Sequence, residues 1–133
     1  MRTENWGQLG NKINAPNQEF RSGIGFSLAL NHDGTILAAQ QSDYIKDKSI
    51  VEDSVKVLKY DGSSWNQLGQ TLSTSPTSVG YFGRGVSLNS DGTILAVGEP
   101  NTEDKIGSVY VYMWDGSSWV QRGATLMGEN IGD

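Results

Sequence analysis

His32 is the only histidine in the 133 residues, and Asp33 follows it directly. A carboxylate beside an imidazole is the pairing that orients a general base, but such a base needs a nucleophile or a metal to act on. The chain has no cysteine, no Gly-x-Ser-x-Gly turn and no second histidine. His32 therefore reads as an exposed turn residue, the chain as a non-enzyme, and no catalytic residue is assigned. Gly23-Ile24-Gly25 and Gly83-Arg84-Gly85 begin like a phosphate-binding loop, yet neither has the third glycine or a following helix. Both read as points of close backbone packing.

Carboxylates gather at Asp43, Asp47, Glu52 and Asp53, and again at Glu99, Glu103 and Asp104. Calcium takes about six to eight oxygen ligands, and these spacings do not supply them, so the residues read as solvated loops. Aromatic rings are the remaining candidates. Tyr110, Tyr112 and Trp114, with Tyr60 at the position matching Trp114, form a possible ligand-binding face, because sugar rings and protein partners stack on aromatic surfaces. Trp6, Trp65 and Trp119 recur at equivalent positions and are read as structural anchors instead, since a residue needed by every repeat is usually a packing one.

The elements that position these residues are duplicated. "NHDGTILAAQ" at 31–40 matches "NSDGTILAVG" at 89–98, and "SVKVLKYDGSSW" at 54–65 matches "SVYVYMWDGSSW" at 108–119. The first unit is longer by four residues around "QSDYIKDKSIVED", which is expected to be a longer loop. The pattern W-x-Q-x-G-x-x-[IL] occurs three times, beginning at Trp6, Trp65 and Trp119. The chain thus divides into an extra copy of the last segment at 1–18, a first repeat at 19–76 and a second at 77–133.

Period-two patterning places strands at 26–31, 35–41, 54–61 and 65–72, then at 85–89, 93–98, 108–115 and 119–126, with 6–13 as a ninth. Asp33-Gly34 and Asp91-Gly92 are expected to form tight hairpins with both residues at positive φ, and they join the tryptophans as structural landmarks. The near-continuous apolar runs "TILAA" and "TILAV" predict strands covered on both faces. A unit of this length suits one four-stranded propeller blade. The expected fold is all-β, a β-propeller-type repeat of two four-stranded antiparallel blades plus one extra N-terminal strand.

Read as [IF]-G-x-x-[LV]-x-L-N-x-D-G-T-I-L-A followed by S-V-x-V and D-G-S-S-W-x-Q-x-G, each unit resembles the FG-GAP repeats of integrin-α-like β-propellers. It is more similar still to divergent "DGT-LAVG…VYVY-DGSSW-QLG" arrays of microbial surface and secreted proteins. Phe82-Gly83 fits the family's Phe-Gly and Ile24-Gly25 is looser; Gly98-Glu99-Pro100 stands where Gly-Ala-Pro is usual. Calcium-binding members carry several carboxylates in the first hairpin, whereas this chain offers only Asn31 with Asp33 and Asn89 with Asp91, so no cofactor and no metal is expected. The resemblance implies a surface, secreted or virion-associated binding, adhesion or assembly module.

The net charge is −5 and the ten basic residues are scattered, which disfavours nucleic acid. No run is long and apolar enough for a spanning helix, so no membrane insertion is expected. The expected partner is a glycan or a protein. Two blades do not close a ring, so the chain is expected to be a homo-oligomer or part of a longer array. The alternative is a self-assembling glycan-binding lectin, for example a trimer giving six blades.

Overall fold

A computed structural model describes residues 5–15, 22–74, 81–101 and 106–130. Among them the regular structure is β, with nine strands and one short 3-10 turn. Sheet 1 is an antiparallel meander of β1 (Gly23–Leu30), β2 (Ile36–Ile45), β3 (Ile50–Tyr60) and β4 (Trp65–Gln67). Sheet 2 repeats it with β5 (Gly85–Leu88), β6 (Ile94–Glu99), β7 (Ser108–Trp114) and β8 (Trp119–Gln121), and adds β9 (Leu126–Met127), which also pairs with β7.

The fourth strand is broken in both units. β4 stops at Gln67 and the chain regains the sheet only at the Val55–Leu72 bridge, just as β8 stops at Gln121 and resumes at Val109–Leu126. Gly69 and Gly123 lie in the breaks with φ of 78° and 77°, a left-handed conformation that side chains with a Cβ resist.

Three local expectations are corrected. Asp33 and Asp91 do not have positive φ, whereas Gly34 and Gly92 do, at 74° and 75°. The connection is a wider turn in which the Gly34 N–H donates to the Asn31 carbonyl, and the Asn31 side chain accepts from the Ile36 N–H at 2.9 Å. Each aspartate instead accepts from the threonine two residues on, through both its N–H and its hydroxyl. Second, the four-residue excess is not a loop. β2 and β3 stay in continuous register from Ile36–Lys59 to Ile45–Ile50, closed by the 3-10 turn at Lys46–Lys48. Third, residues 6–13 join neither sheet. They lie against sheet 1 through side-chain and indole hydrogen bonds, with no ladder, so the expected ninth strand there is not formed.

One core lies between the sheets. Ile36, Ala38, Val55, Val57 and Leu72 of the first unit meet Phe82, Leu95, Val97, Tyr112 and Trp119 of the second. The equivalents of Ile36 and Ala38 in the second repeat are Ile94 and Ala96, whose side chains alternate with Leu95 and Val97 and so point to the other face. Equivalent faces therefore do not meet. Sheet 1 offers its front and sheet 2 its back, a head-to-tail relation unlike that of a two-fold sandwich. The "TILAA" run is buried at Ala38 and Ala39 on both faces, while in β6 buried residues alternate with half-buried ones.

Candidate functional site

The seam between the units is built from the residues that the sequence repeats. In each DGSSW corner the aspartate, Asp61 or Asp115, accepts hydrogen bonds from the N–H groups of the two serines that follow. Those N–H groups, with the serine hydroxyls, hold both carboxyls below the ordinary carboxylate range. The corner therefore fixes where Trp65 and Trp119 open the fourth strands.

Trp119 crosses the seam. Its indole Nε1–H donates to the Leu68 carbonyl at 3.0 Å, its backbone N–H donates to Gln70 Oε1 at 2.9 Å, and Gln70 Nε2 donates back to the Trp119 carbonyl at 2.6 Å. Against the ring lies Gly69, where an added Cβ would meet Trp114 at 2.6 Å and Trp119 at 2.9 Å. Trp114 and Trp119 pack with centroids 5.5 Å apart. Trp119 is 3% exposed.

Residues 9–11 make the same contacts one unit earlier. The Trp65 indole donates to the Leu9 carbonyl and its backbone N–H to Asn11 Oδ1, both at 2.9 Å. A Cβ on Gly10 would meet Tyr60 at 3.0 Å and Trp65 at 3.1 Å, and those two rings sit 5.4 Å apart. The N-terminal segment thus stands against sheet 1 as the fourth strand of sheet 1 stands against sheet 2. Trp6, expected to anchor like the other two, is fully exposed and packs on nothing among the described residues. At the other end, a Cβ on Gly123 would meet no atom of the described residues within 4 Å.

Of the expected ligand face, Tyr60, Tyr110 and Trp114 keep part of their surface exposed. Tyr112 is buried in the core, Trp114 packs on Trp119, Tyr60 packs on Trp65, and the Tyr110 hydroxyl donates to Glu99 at 2.9 Å. Tyr112 and Trp114 face the first unit and Tyr60 faces residues 9–11, neighbours that their own strands do not encode. Burial, reinforced by the Glu99 hydrogen bond, raises the Tyr110 hydroxyl above its ordinary value. Glu99 itself is 2% exposed and accepts from Thr74 as well. Asp43, Glu52, Asp53 and Glu99 lie on strands rather than in loops; Asp47 is in the exposed 3-10 turn, and Glu103 and Asp104 lie outside the described residues. Burial pushes the Asp53 carboxyl up, against hydrogen bonds from Ser42 and Gln40. No group of three or more metal-ligating side chains occurs among the described residues.

His32 is exposed, and its N–H donates to the Ser90 carbonyl, tying the two Asp-Gly turns together. Gly83 is a close-packing point: a Cβ there would meet Val55 at 2.6 Å and Gln40 at 2.8 Å. A feature not singled out in the sequence adjoins it. Arg84 sits 4.9 Å from the ring centroids of both Phe26 and Tyr81, which are 71% and 48% exposed. Tyr81 has φ of 60°, an uncommon conformation for a bulky residue. The aromatic residues of "YFGRG" were the available signal, but the pairing of Phe26 with Tyr81 across units is not local.

Among the described residues, sheet 2 has an open front. Val109, Met113 and Leu126 are exposed there, and a cavity of about 500 Å³ is lined by Gly98, Val109, Leu126, Met127, Ile106 and Pro100. In sheet 1 the matching positions Gln40, Val55 and Leu72 are covered by Phe82 and Gly83 of the second unit. No helix among the described residues is long and apolar enough to cross a membrane. No family model, no curated protein and no solved structure matches the chain.

Proposed function

We propose that the chain is a non-enzymatic β-propeller-type repeat module for binding, adhesion or structural assembly on a surface, secreted or virion-associated protein, with FG-GAP-like units. The observation that carries this reading is the front-to-back packing of two equivalent sheets, with the indole seam made once at Trp119 and again at Trp65. Such packing is propagated by adding units, and each added unit covers the face left open by the one before. Its partner is a protein surface of the same repeat class.

The test is to append a second copy of residues 77–133 after Asp133 and follow unfolding. If the reading holds, the extended chain melts in one transition at a higher temperature, because the new unit covers Val109, Met113 and Leu126. A separate transition at the original temperature contradicts it.

A second reading, a glycan-binding lectin, is favoured by Phe26 and Tyr81, two exposed rings flanking Arg84. Stacked apolar ring faces beside a guanidinium suit a sugar's C–H face and hydroxyls. A glycan array in which wild type binds and Phe26→Ala does not would establish it.

A further inference from the structure

We propose that the open front of sheet 2 is a docking surface for sheet 1 of a second copy of this chain, and that residues 5–15 are the built-in cap that competes with this docking. The proposal rests on the repeat-module reading and names the partner of that module.

The two surfaces complement each other position by position, because the internal seam is their template. In that seam β5 turns Val86 and Leu88 toward the core, where both are partly buried. Their equivalents in sheet 1, Leu28 and Leu30, pair with Ala39 and Leu37 on the back of the sheet and are 58% and 57% exposed. Phe82-Gly83 fills the hollow over Val55 and Leu72; Ile24-Gly25 is the matching pair in sheet 1, and the hollow over Val109 and Leu126 is the cavity. Trp119 stands on Gly69; Trp65 is the matching ring and Gly123 the matching unfilled glycine. A head-to-tail contact of this kind joins unlike surfaces, so it closes into a ring or runs on as a filament.

One element stands in the way. Residues 5–15 already occupy Tyr60 and Trp65, with Leu9, Gly10 and Asn11 where a second copy would bring Arg122, Gly123 and Ala124. Two features favour the cap. It is tethered to the site it fills, which gives it a high effective concentration. Ala124 also has no side-chain amide, so it cannot supply the bond that Asn11 gives Trp65 or the pair that Gln70 exchanges with Trp119. Docking by exchange therefore replaces one strand segment with another and adds the burial of Leu28, Leu30, Val109, Met113 and Leu126.

Sedimentation velocity over a wide concentration range, on full-length wild type and on the double variant Asn11→Ala with Ala124→Gln, tests this. The double variant weakens the cap and restores the amide, and is expected to associate at a concentration lower than wild type by about tenfold or more. Adding Leu126→Asp to the double variant is expected to abolish association, and so is an excess of a synthetic peptide spanning residues 5–15, which refills the Trp65 site. Circular dichroism on the same samples checks that each variant is folded. Unchanged mass in the folded double variant, or association that survives both Leu126→Asp and the peptide, overturns the proposal. Association lost on Trp6→Ala also overturns it, since that would mean Trp6 seats on Gly123 with the cap in place. If the chain with the appended unit melts as one while separate copies never associate, the repeat reading stands and self-docking fails.

Discussion

Trp119 and Trp65 make the same indole and backbone hydrogen bonds to the preceding W-x-Q-x-G segment, yet Trp119 is buried at the seam and Trp65 is only half-buried. Behind Trp119 stands a whole sheet; behind Trp65 stands a strip of chain without a ladder. The hydrogen-bonded grip is thus a local product of the fourth segment, whereas burial comes from the strands that accompany it. Gly123 completes the series as the same segment with no ring above it.

The comparison breaks most plainly at the rings. Trp119→Ala removes a fully buried side chain and is expected to cost ~3–5 kcal/mol in urea unfolding. Trp65→Ala should cost about half as much, because a half-buried ring loses less transfer energy and leaves a solvent-filled notch rather than a cavity. Equal costs would mean that the cap buries Trp65 as well as a sheet does.

The glycines sharpen it next. Gly69→Ala and Gly123→Ala share the cost of a left-handed Cβ, roughly 1–2 kcal/mol. Gly69→Ala must also displace Trp114 and Trp119, so it is expected to exceed Gly123→Ala by ~1–2 kcal/mol. Since the backbone angles match, the difference measures the seam itself. Below that come the amides. Gln70→Ala removes two hydrogen bonds at the part-buried rim of the seam and should cost about 1–3 kcal/mol; Asn11→Ala removes one at an exposed junction and should cost about 0.5–1.5 kcal/mol.

The turns and the hairpin network give the smallest effects, of opposite sign. Asp61, Asp115, Asp33 and Asp91 are all held below the ordinary range by hydrogen bonds to the charged form. They stabilise the fold above about pH 4 and lose that contribution as pH falls through their lowered values. Asp53 is raised by burial, so its contribution is present below about pH 4 and is lost as pH rises through its raised value. Melting temperature against pH should therefore fall on acidification in wild type, less steeply in Asp61→Ala. Asp53→Asn should remove the opposing slope and fall more steeply; a shallower fall would contradict the assignment.

Local chemistry was legible in the sequence. The period, the strand order within each unit and the two kinds of corner rest on Asp-Gly turns and on alternation that any short window carries. The long hairpin is hidden in the sequence because Ser42, Asp43, Glu52 and Asp53 look like loop residues. These four lie in paired strands, where Ser42 and the neighbouring Gln40 both reach Asp53 and Gln41 reaches Asp43. Similarity to two strands made residues 6–13 look like a third, but a strand needs a neighbour to pair with. The burial of Tyr112 is hidden for the converse reason. What lies in front of a sheet is set by the unit packed there, and no residue of β7 records it.

The central claim is that one seam geometry occurs twice in the chain and is left open once. Ring currents report it directly, because a glycine packed against an indole has its α-protons shifted away from their ordinary positions. In a proton–carbon correlation spectrum of dilute wild type, the α-proton signals of Gly10 and Gly69 are predicted to be clearly displaced by the rings and those of Gly123 to lie at ordinary positions. Ring-displaced signals from Gly123, or ordinary ones from Gly69, would contradict the account.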